Sequence, residues 1–141
     1  MIAYRSTPEG ISPDQLQGFF VGWPNPPSPA VHLRLLHQSD VVVIAVDSVA
    51  GMVVGFITAI TDGVLTAFIP LLEVLPDYQH QGIGQELTRR MLVRLKDLYA
   101  IDLLCDAELQ PFYAQLGMRP ATGMLLRNYE RQSGQPPTSI P

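Results

Sequence analysis

The residue types that could do chemistry are concentrated in the run QHQGIG, residues 79–84, between a predicted strand and a predicted helix. Glycines at this place let backbone amides face outward without obstruction by a side chain. Those amides and the positive end of the helix dipole would form a cradle for phosphate oxygens. A glycine-rich turn before a helix can also serve packing alone, so the run by itself leaves both interpretations open.

A dinucleotide-binding fingerprint is the first alternative for this run. Gly82 and Gly84 could open the pattern G-x-G-x-x-G, and Asp102 lies twenty residues beyond Gly82. The third glycine position is occupied by Leu87, however, and Asp102 opens its predicted strand, whereas the ribose-binding acid belongs near the end of that strand. The sequence therefore argues against a Rossmann domain.

The hydrophobic pattern and the turn residues predict the elements that position this run. Ile83, Leu87, Met91 and Leu95 recur at helical spacing and make the helix after the glycines the clearest element of the chain. Pro70 predicts a bulge, or a place where pairing opens, in the strand before them. Strands are predicted at residues 2–5, 41–46, 52–60, 64–74, 101–105 and 124–128, and helices at residues 13–21, 30–37, 83–98 and 111–116.

These elements indicate a single mixed α/β domain over residues 1–141, without an internal repeat or a dividing linker. The first strands form an antiparallel run, and the long helix then crosses over to a strand that should be parallel to its predecessor. Residues 131–141 lack apolar periodicity and are predicted to be a flexible tail.

Two segments of the chain resemble the GCN5-related N-acetyltransferase (GNAT) family. The pyrophosphate loop of that family reads Gln or Arg, two residues, Gly, one residue, then Gly or Ala, and Gln79, Gly82 and Gly84 match it. The segment PFYAQLGM, residues 111–118, is similar to the second recurrent segment of the family, F-Y-x-x-L/F-G-F/M. One helix and one strand separate the two segments, as in the family, and the similarity extends over about residues 53–127.

The resemblance implies a central mixed, mostly antiparallel sheet of about six to seven strands, flanked by about four helices. The sheet would split in a V between its fourth and fifth strands, where the pantetheine arm of acetyl-CoA enters. The backbone of the fourth strand would pair with the pantetheine amides, and the glycine loop would hold the pyrophosphate. The residues implied to contact acetyl-CoA are Leu72, Glu73, Val74, Gln79, His80, Gln81, Gly82, Ile83, Gly84, Gln85 and Tyr113.

The implied chemistry needs a proton donor and a base, and the sequence identifies the donor more clearly than the base. Tyr113 matches the family tyrosine that protonates the departing thiolate, and a phenol with a pKa near 10 suits a thiol with a pKa near 8.5. The base is less clear, because the positions where family members often carry it correspond to Phe68 and Pro70. Glu73 is a candidate, although strand alternation puts it on the opposite face from Phe68 unless a bulge intervenes. Glu108 and a water chain are the alternatives.

Cationic and aromatic side chains leave further alternatives open. Arg89, Arg90 and Arg94 could reach the adenosine 3'-phosphate or form a solvated helix face. The aromatic set Phe19, Phe20 and Trp23 could line an apolar acceptor site or belong to the core. Cys105 could in principle relay the acetyl group, but a small buried thiol is the commoner role.

The amino-acid composition limits the expected cellular location and the expected partners of the protein. One cysteine in 141 residues cannot form an internal disulfide, so a reducing, cytoplasmic location is expected. The N-terminus does not resemble a signal peptide, and residues 41–60 are better explained by two strands than by a membrane helix. A net charge of -4 provides no general attraction for nucleic acid. No nucleic-acid or membrane partner and no metal is expected, and a homodimer is allowed.

The sequence therefore predicts an acetyl-CoA-dependent N-acetyltransferase acting on a primary amine of a small molecule or peptide. Tyr113 and Glu73 are its predicted catalytic residues. The alternative is a non-catalytic domain that binds acetyl-CoA as a sensor or regulatory unit, which the uncertain base would favour.

Overall fold

A five-stranded sheet forms the centre of the computed structural model, which describes residues 1–136. Its strands lie side by side in chain order, β1 to β4 are antiparallel, and β5 is parallel to β4. The strands are β1 (Ile2–Arg5), β2 (Val41–Asp47), β3 (Met52–Thr61), β4 (Thr66–Val74) and β5 (Ala100–Asp102). This confirms the predicted mixed sheet with one parallel pair at its edge.

Three α-helices flank the sheet, α1 (Pro29–Gln38), α2 (Ile83–Arg94) and α3 (Gln110–Ala114). The side chain of Ser28 accepts a hydrogen bond from the Val31 N–H and caps α1, while proline occupies the first helical position. α2 carries the predicted apolar face. α3 ends at Ala114, and Gly117 follows three residues later with a φ of 98°.

The core has two layers because β2 and β3 are covered on both faces. On one face α2 buries Leu87 and Met91 against the sheet, and on the other Leu36 of α1 packs with Phe56. Residues 53–59 of β3 are therefore all buried, which explains their continuous apolar run.

The number of elements is lower than the sequence predicted. Five strands are found instead of six to seven, because residues 124–128 form no strand and stay exposed. Three α-helices replace four, since the segment predicted as helix 13–21 contains only a 3-10 turn, Pro13–Gln15. Ser12 and Gln15 form a capping box at the start of this segment, but Gly18 and Phe20 then adopt positive φ values of 89° and 62°, which no α-helix permits.

The predicted tail begins in contact with α1. The side chain of Gln132 accepts a hydrogen bond from the Asn25 N–H at 2.9 Å, and Arg34 donates to the Gly134 carbonyl at 3.0 Å. Residues 137–141, the remainder of that prediction, lie outside the described residues.

Candidate active site

A V-shaped opening separates β4 from β5, as the family resemblance implied. The two strands pair only where residues 66–68 meet residues 100–102. β4 then continues to Val74 without a neighbouring strand on that side among residues 1–136. α3 closes the far side of the opening, since a Cβ built on Gly84 would lie 3.7 Å from the Phe112 ring. The opening thus lies between a free strand edge and an aromatic helix.

The free edge of β4 presents two peptide groups to the opening. Leu75 donates its N–H to the Val54 carbonyl across the β3–β4 ladder. Because alternate residues of a strand point to alternate sides, the peptide group of Glu73 also faces β3, while those of Leu72 and Val74 face the opening. Of the three backbone positions predicted to pair with pantetheine, Leu72 and Val74 are therefore directed toward the opening.

The glycine loop lies at the end of this edge. Gly82 is the N-cap of α2 with a φ of 85°, and no described atom lies within 4 Å of a Cβ built there. His80 also has a positive φ, 64°, a conformation that costs energy in a residue with a side chain. The N–H groups of the first turn of α2 have no partners within the helix. Free N–H groups at a helix N-terminus are a favourable place for an anion such as phosphate.

Two side chains hold the glycine loop against the sheet. Gln79 donates to the Val74 carbonyl at 3.0 Å, which attaches the start of the loop to the end of β4. The Tyr78 hydroxyl donates to Asp47 Oδ2 at 2.7 Å, and Asp47 also accepts the N–H groups of Val49 and Ala50. These hydrogen bonds hold the pKa of Asp47 below its usual value. Sequence reasoning missed this pair, for which the only signal was an aspartate opening a tight turn.

Tyr113 lies in α3, on the side of the opening away from β4. Its ring is partly buried and packs edge-to-face on Phe112, with ring centroids 4.9 Å apart. Burial, with a smaller effect from Cys105, raises the pKa of Tyr113 above its usual value. The phenol therefore stays protonated at neutral pH, as a proton donor requires. Tyr113, Cys105 and Phe68 line one groove of about 1170 Å³.

Glu73 reaches the face of β4 that carries Phe68 because of a bulge. Ile60 pairs with Phe68 and Thr58 with Leu71, so Ile69 and Pro70 together oppose one residue of β3. This bulge, predicted from Pro70, reverses the alternation beyond it. The bulge that Glu73 needs in order to share a face with Phe68 is therefore present.

The Glu73 carboxylate already holds part of the loop before α1. It accepts the N–H of Phe20 at 2.8 Å and that of Val21 at 3.3 Å. This contact explains how Phe20 is kept in a left-handed conformation. Glu108, the other carboxylate candidate, is exposed in the 3-10 turn Ala107–Leu109 that precedes α3.

The aromatic residues before α1 are mainly core. Phe19, Phe20 and Phe56 surround the ring of His32, with centroid distances of 5.2, 4.9 and 4.4 Å. Trp23 packs on Phe20 and stays partly exposed. The segment therefore offers an apolar surface at Trp23 rather than across all three aromatic residues.

His32 is buried in this cluster at 1% exposure, and neither ring nitrogen has a hydrogen-bond partner among the described residues. Burial lowers the pKa of His32 to about 4. The ring is therefore neutral at physiological pH. The sequence placed His32 on the second helix without predicting this environment.

The arginines of α2 lie away from the opening. Glu86 accepts hydrogen bonds from Arg89 and Arg90, which lower its pKa to about 2. Arg90 also lies over the ring of Tyr4, 4.6 Å from its centroid. With Arg94 these residues line a cavity of about 400 Å³ beside β1, the sheet edge opposite β5. The geometry favours the ion-paired helix face among the two predicted alternatives.

Residues 1–136 contain no group of three or more His, Cys, Asp or Glu side chains that could hold a metal ion. Within the same residues, no helix has the length and apolar character needed to cross a membrane.

Comparison with known proteins finds similarity to acetyltransferases. Residues 9–118 match the family model described as the Acetyltransferase (GNAT) family. The structure is similar to that of a Deinococcus radiodurans R1 protein assigned to the acetyltransferases, with a TM-score of 0.92 and 48% identity over 96% of this chain and 94% of that one.

Two relatives from Arabidopsis thaliana are also similar in sequence. GCN5-related N-acetyltransferase 3, chloroplastic, is 41% identical over 48% of this chain and 29% of its own length. GCN5-related N-acetyltransferase 1, chloroplastic, is 29% identical over 80% of this chain and 59% of its own length. The chain therefore spans less than two thirds of the curated relatives it matches.

Proposed function

Since the chain belongs to the GNAT family of acetyltransferases, we propose that it transfers the acetyl group of acetyl-CoA to a primary amine of a small molecule or peptide. Acetyl-CoA would supply an acyl group activated as a thioester, which the neutral amine attacks directly in a ternary complex. The observation that carries this proposal is the free edge of β4 ending at the open glycine cradle.

Residues along this edge are proposed to hold acetyl-CoA. The N–H and carbonyl groups of Leu72 are positioned to bind an extended amide chain as a further strand would. The amides of residues 79–85 are proposed to bind the pyrophosphate with the help of the α2 dipole. The Val74 N–H would also stabilise negative charge developing on the thioester carbonyl.

Tyr113 and Glu73 are proposed to handle the protons. Tyr113, kept protonated by burial, would donate its phenol proton to the departing thiolate. Each carboxylate oxygen of Glu73 accepts one backbone N–H from the loop before α1 and still has a free lone pair. We propose that these accept the ammonium proton of the amine through a water molecule.

The first experiment measures acetyl-CoA-dependent release of free thiol across a panel of amines, with calorimetric titration of acetyl-CoA in parallel. Binding together with thiol release that depends on the amine would support the transferase. The panel should contain both apolar and strongly hydrophilic amines, because Trp23 offers an apolar surface near the proposed acceptor side.

A non-catalytic acetyl-CoA-binding domain is the second candidate, favoured by the hydrogen bonds that already occupy Glu73. Binding without thiol release for every amine tested would support it over the transferase. Failure to bind acetyl-CoA at all would contradict both.

The cellular compartment is proposed from the amino-acid composition. A single free cysteine in the chain suits a reducing compartment such as the cytoplasm.

A further inference from the structure

The cavity of about 400 Å³ between α2 and the edge strand β1 is strongly cationic. Four arginines line it, Arg5, Arg89, Arg90 and Arg94, and none of the described residues around it is acidic. The whole chain has nine lysines and arginines against 13 aspartates and glutamates. An acidic chain therefore places nearly half of its cationic side chains around one small cavity.

Glu86 neutralises only part of this positive charge. Its carboxylate accepts two hydrogen bonds from Arg89, at 3.0 and 2.6 Å, and one from Nε of Arg90 at 2.5 Å. The side chain of Arg94 has no hydrogen bond and no ion pair with any of residues 1–136. The guanidinium of Arg94 and the two terminal nitrogens of Arg90 are therefore free to donate to a bound anion.

The walls of the cavity hold two of the arginines in position. Arg90 lies over the ring of Tyr4, 4.6 Å from its centroid. Arg5 donates to the backbone carbonyl of Glu9. Val43 is buried and gives the cavity an apolar surface beside these cations. A guanidinium that is already positioned loses less conformational freedom when it binds an anion.

The size and the charge of the cavity indicate the class of ligand. Guanidinium groups bind phosphate and carboxylate oxygens through two parallel hydrogen bonds. The volume falls within the range of small-molecule sites, about 300–1,000 Å³. Because several cations surround one cavity, a ligand with more than one negative charge is favoured.

We propose that this cavity is a second ligand site, which binds a small molecule carrying two or more negative charges on phosphate or carboxylate groups. The proposal does not rest on the proposed acetyl transfer.

The cavity is separate from the proposed acetyl-CoA site. β2 and β3 lie between β1 and β4, so the two strands are about 14 Å apart. Arg94 ends the 12-residue helix that follows the N-cap Gly82, and thus lies about 18 Å along the helix axis from the glycine loop. A molecule in the cavity leaves the opening between β4 and β5 free.

Calorimetric titration of the full chain with inorganic pyrophosphate and with citrate tests the proposal. The titrations use Gly82→Glu, because the glycine cradle of the wild type is itself proposed to bind pyrophosphate. We expect this variant to bind one equivalent of anion, and the tighter of the two anions shows whether the site prefers phosphate or carboxylate groups. Absence of binding by both anions, in a variant that circular dichroism shows to be folded, would overturn the proposal.

Arg94→Gln, added to Gly82→Glu, should weaken anion binding by about tenfold or more, since it removes a free guanidinium. Arg94 is exposed and has no described partner, so its replacement costs the fold little. Lys96→Gln is the matched control, because it removes an exposed positive charge two residues later that does not line the cavity. This control should change the Kd by no more than about twofold. Equal Kd values in the two variants would refute a specific site.

Valine-methyl NMR of the wild-type chain then locates the bound anion. The resonances of Val43 and Val93, which line the cavity, should shift when pyrophosphate or citrate is added. Val49, which is exposed in the turn between β2 and β3, should not shift. An anion that leaves Val43 and Val93 unshifted would overturn the proposal. If acetyl-CoA fails to bind while these two valines still shift, only the proposed function fails.

Discussion

At the scale of single residues, the site depends on side chains whose protonation is set by their surroundings. Burial raises the pKa of Tyr113 further above neutral pH, where its phenol is already protonated, and His32 is kept neutral by the aromatic rings around it. Glu73 acts first as a structural group, because its carboxylate binds two backbone N–H groups of a loop more than fifty residues earlier. The environments of Tyr113 and His32 each lead to a prediction.

Tyr113→Phe should reduce kcat by about 100-fold while leaving the Kd for acetyl-CoA nearly unchanged. The phenyl ring preserves the packing on Phe112 but has no proton to donate to the leaving thiolate. Thiol release gives kcat, and calorimetry gives Kd. Phe112→Leu is the packing control and should alter binding more than the proton-transfer step. Unchanged kcat in Tyr113→Phe would contradict the donor role.

His32 should make the protein less stable in mild acid. Its pKa is about 4 when folded and near 6.5 when unfolded, so the unfolded state binds more protons between these values and protonation favours unfolding. The contribution of His32 is fully present above pH 6.5 and is lost as the pH falls toward 4. We expect a loss of about 2 kcal/mol between pH 7 and pH 5, measured by urea unfolding. His32→Phe should lack this loss, and an equal pH dependence in both proteins would exclude His32 as its source.

At the scale of elements, the β4 bulge and the glycine loop together organise the opening. The bulge at residues 69–70 decides which side chains of β4 share a face, and β4 leaves β5 at about the same point. Tyr78 and Gln79 then attach the start of the loop to the sheet, at Asp47 and at Val74. The loop is therefore supported by the sheet before any ligand binds.

Gly82→Glu should weaken acetyl-CoA binding by about 100-fold or more. The new side chain would place a negative charge in the cradle, where like-charge contact costs several kcal/mol, and would also strain a backbone with a φ of 85°. Gly63→Glu is the matched control, since Gly63 has a φ of 74° and equally open surroundings in a turn before β4. Calorimetric titration of both variants separates the two effects. Equal Kd values in the two variants would argue against a phosphate cradle at Gly82.

At the scale of the whole molecule, the two edges of the sheet differ in what lies beside them. The β1 edge lies beside the arginine side of α2, whereas the β5 edge borders an open groove, and apolar side chains follow it at residues 124–126.

The sequence by itself determined the family, the α/β class and the position of the cradle. These depend on local patterns: Gln79, Gly82 and Gly84 at fixed spacing, the apolar face of α2, and Pro70, which cannot donate to a ladder. These patterns involve residues that are close together in the sequence, so they can be recognised without the tertiary structure.

Only the tertiary structure decided the features that depend on partners distant in the chain. It brought Glu73 to the Phe20 loop, Tyr78 to Asp47 and three phenylalanine rings to His32. It also reduced the predicted helix 13–21 to one turn and left residues 124–128 without a strand. The physical reason is the same throughout, because a backbone group or a charge adopts the state that its contacts stabilise, and a strand exists only where another strand pairs with it.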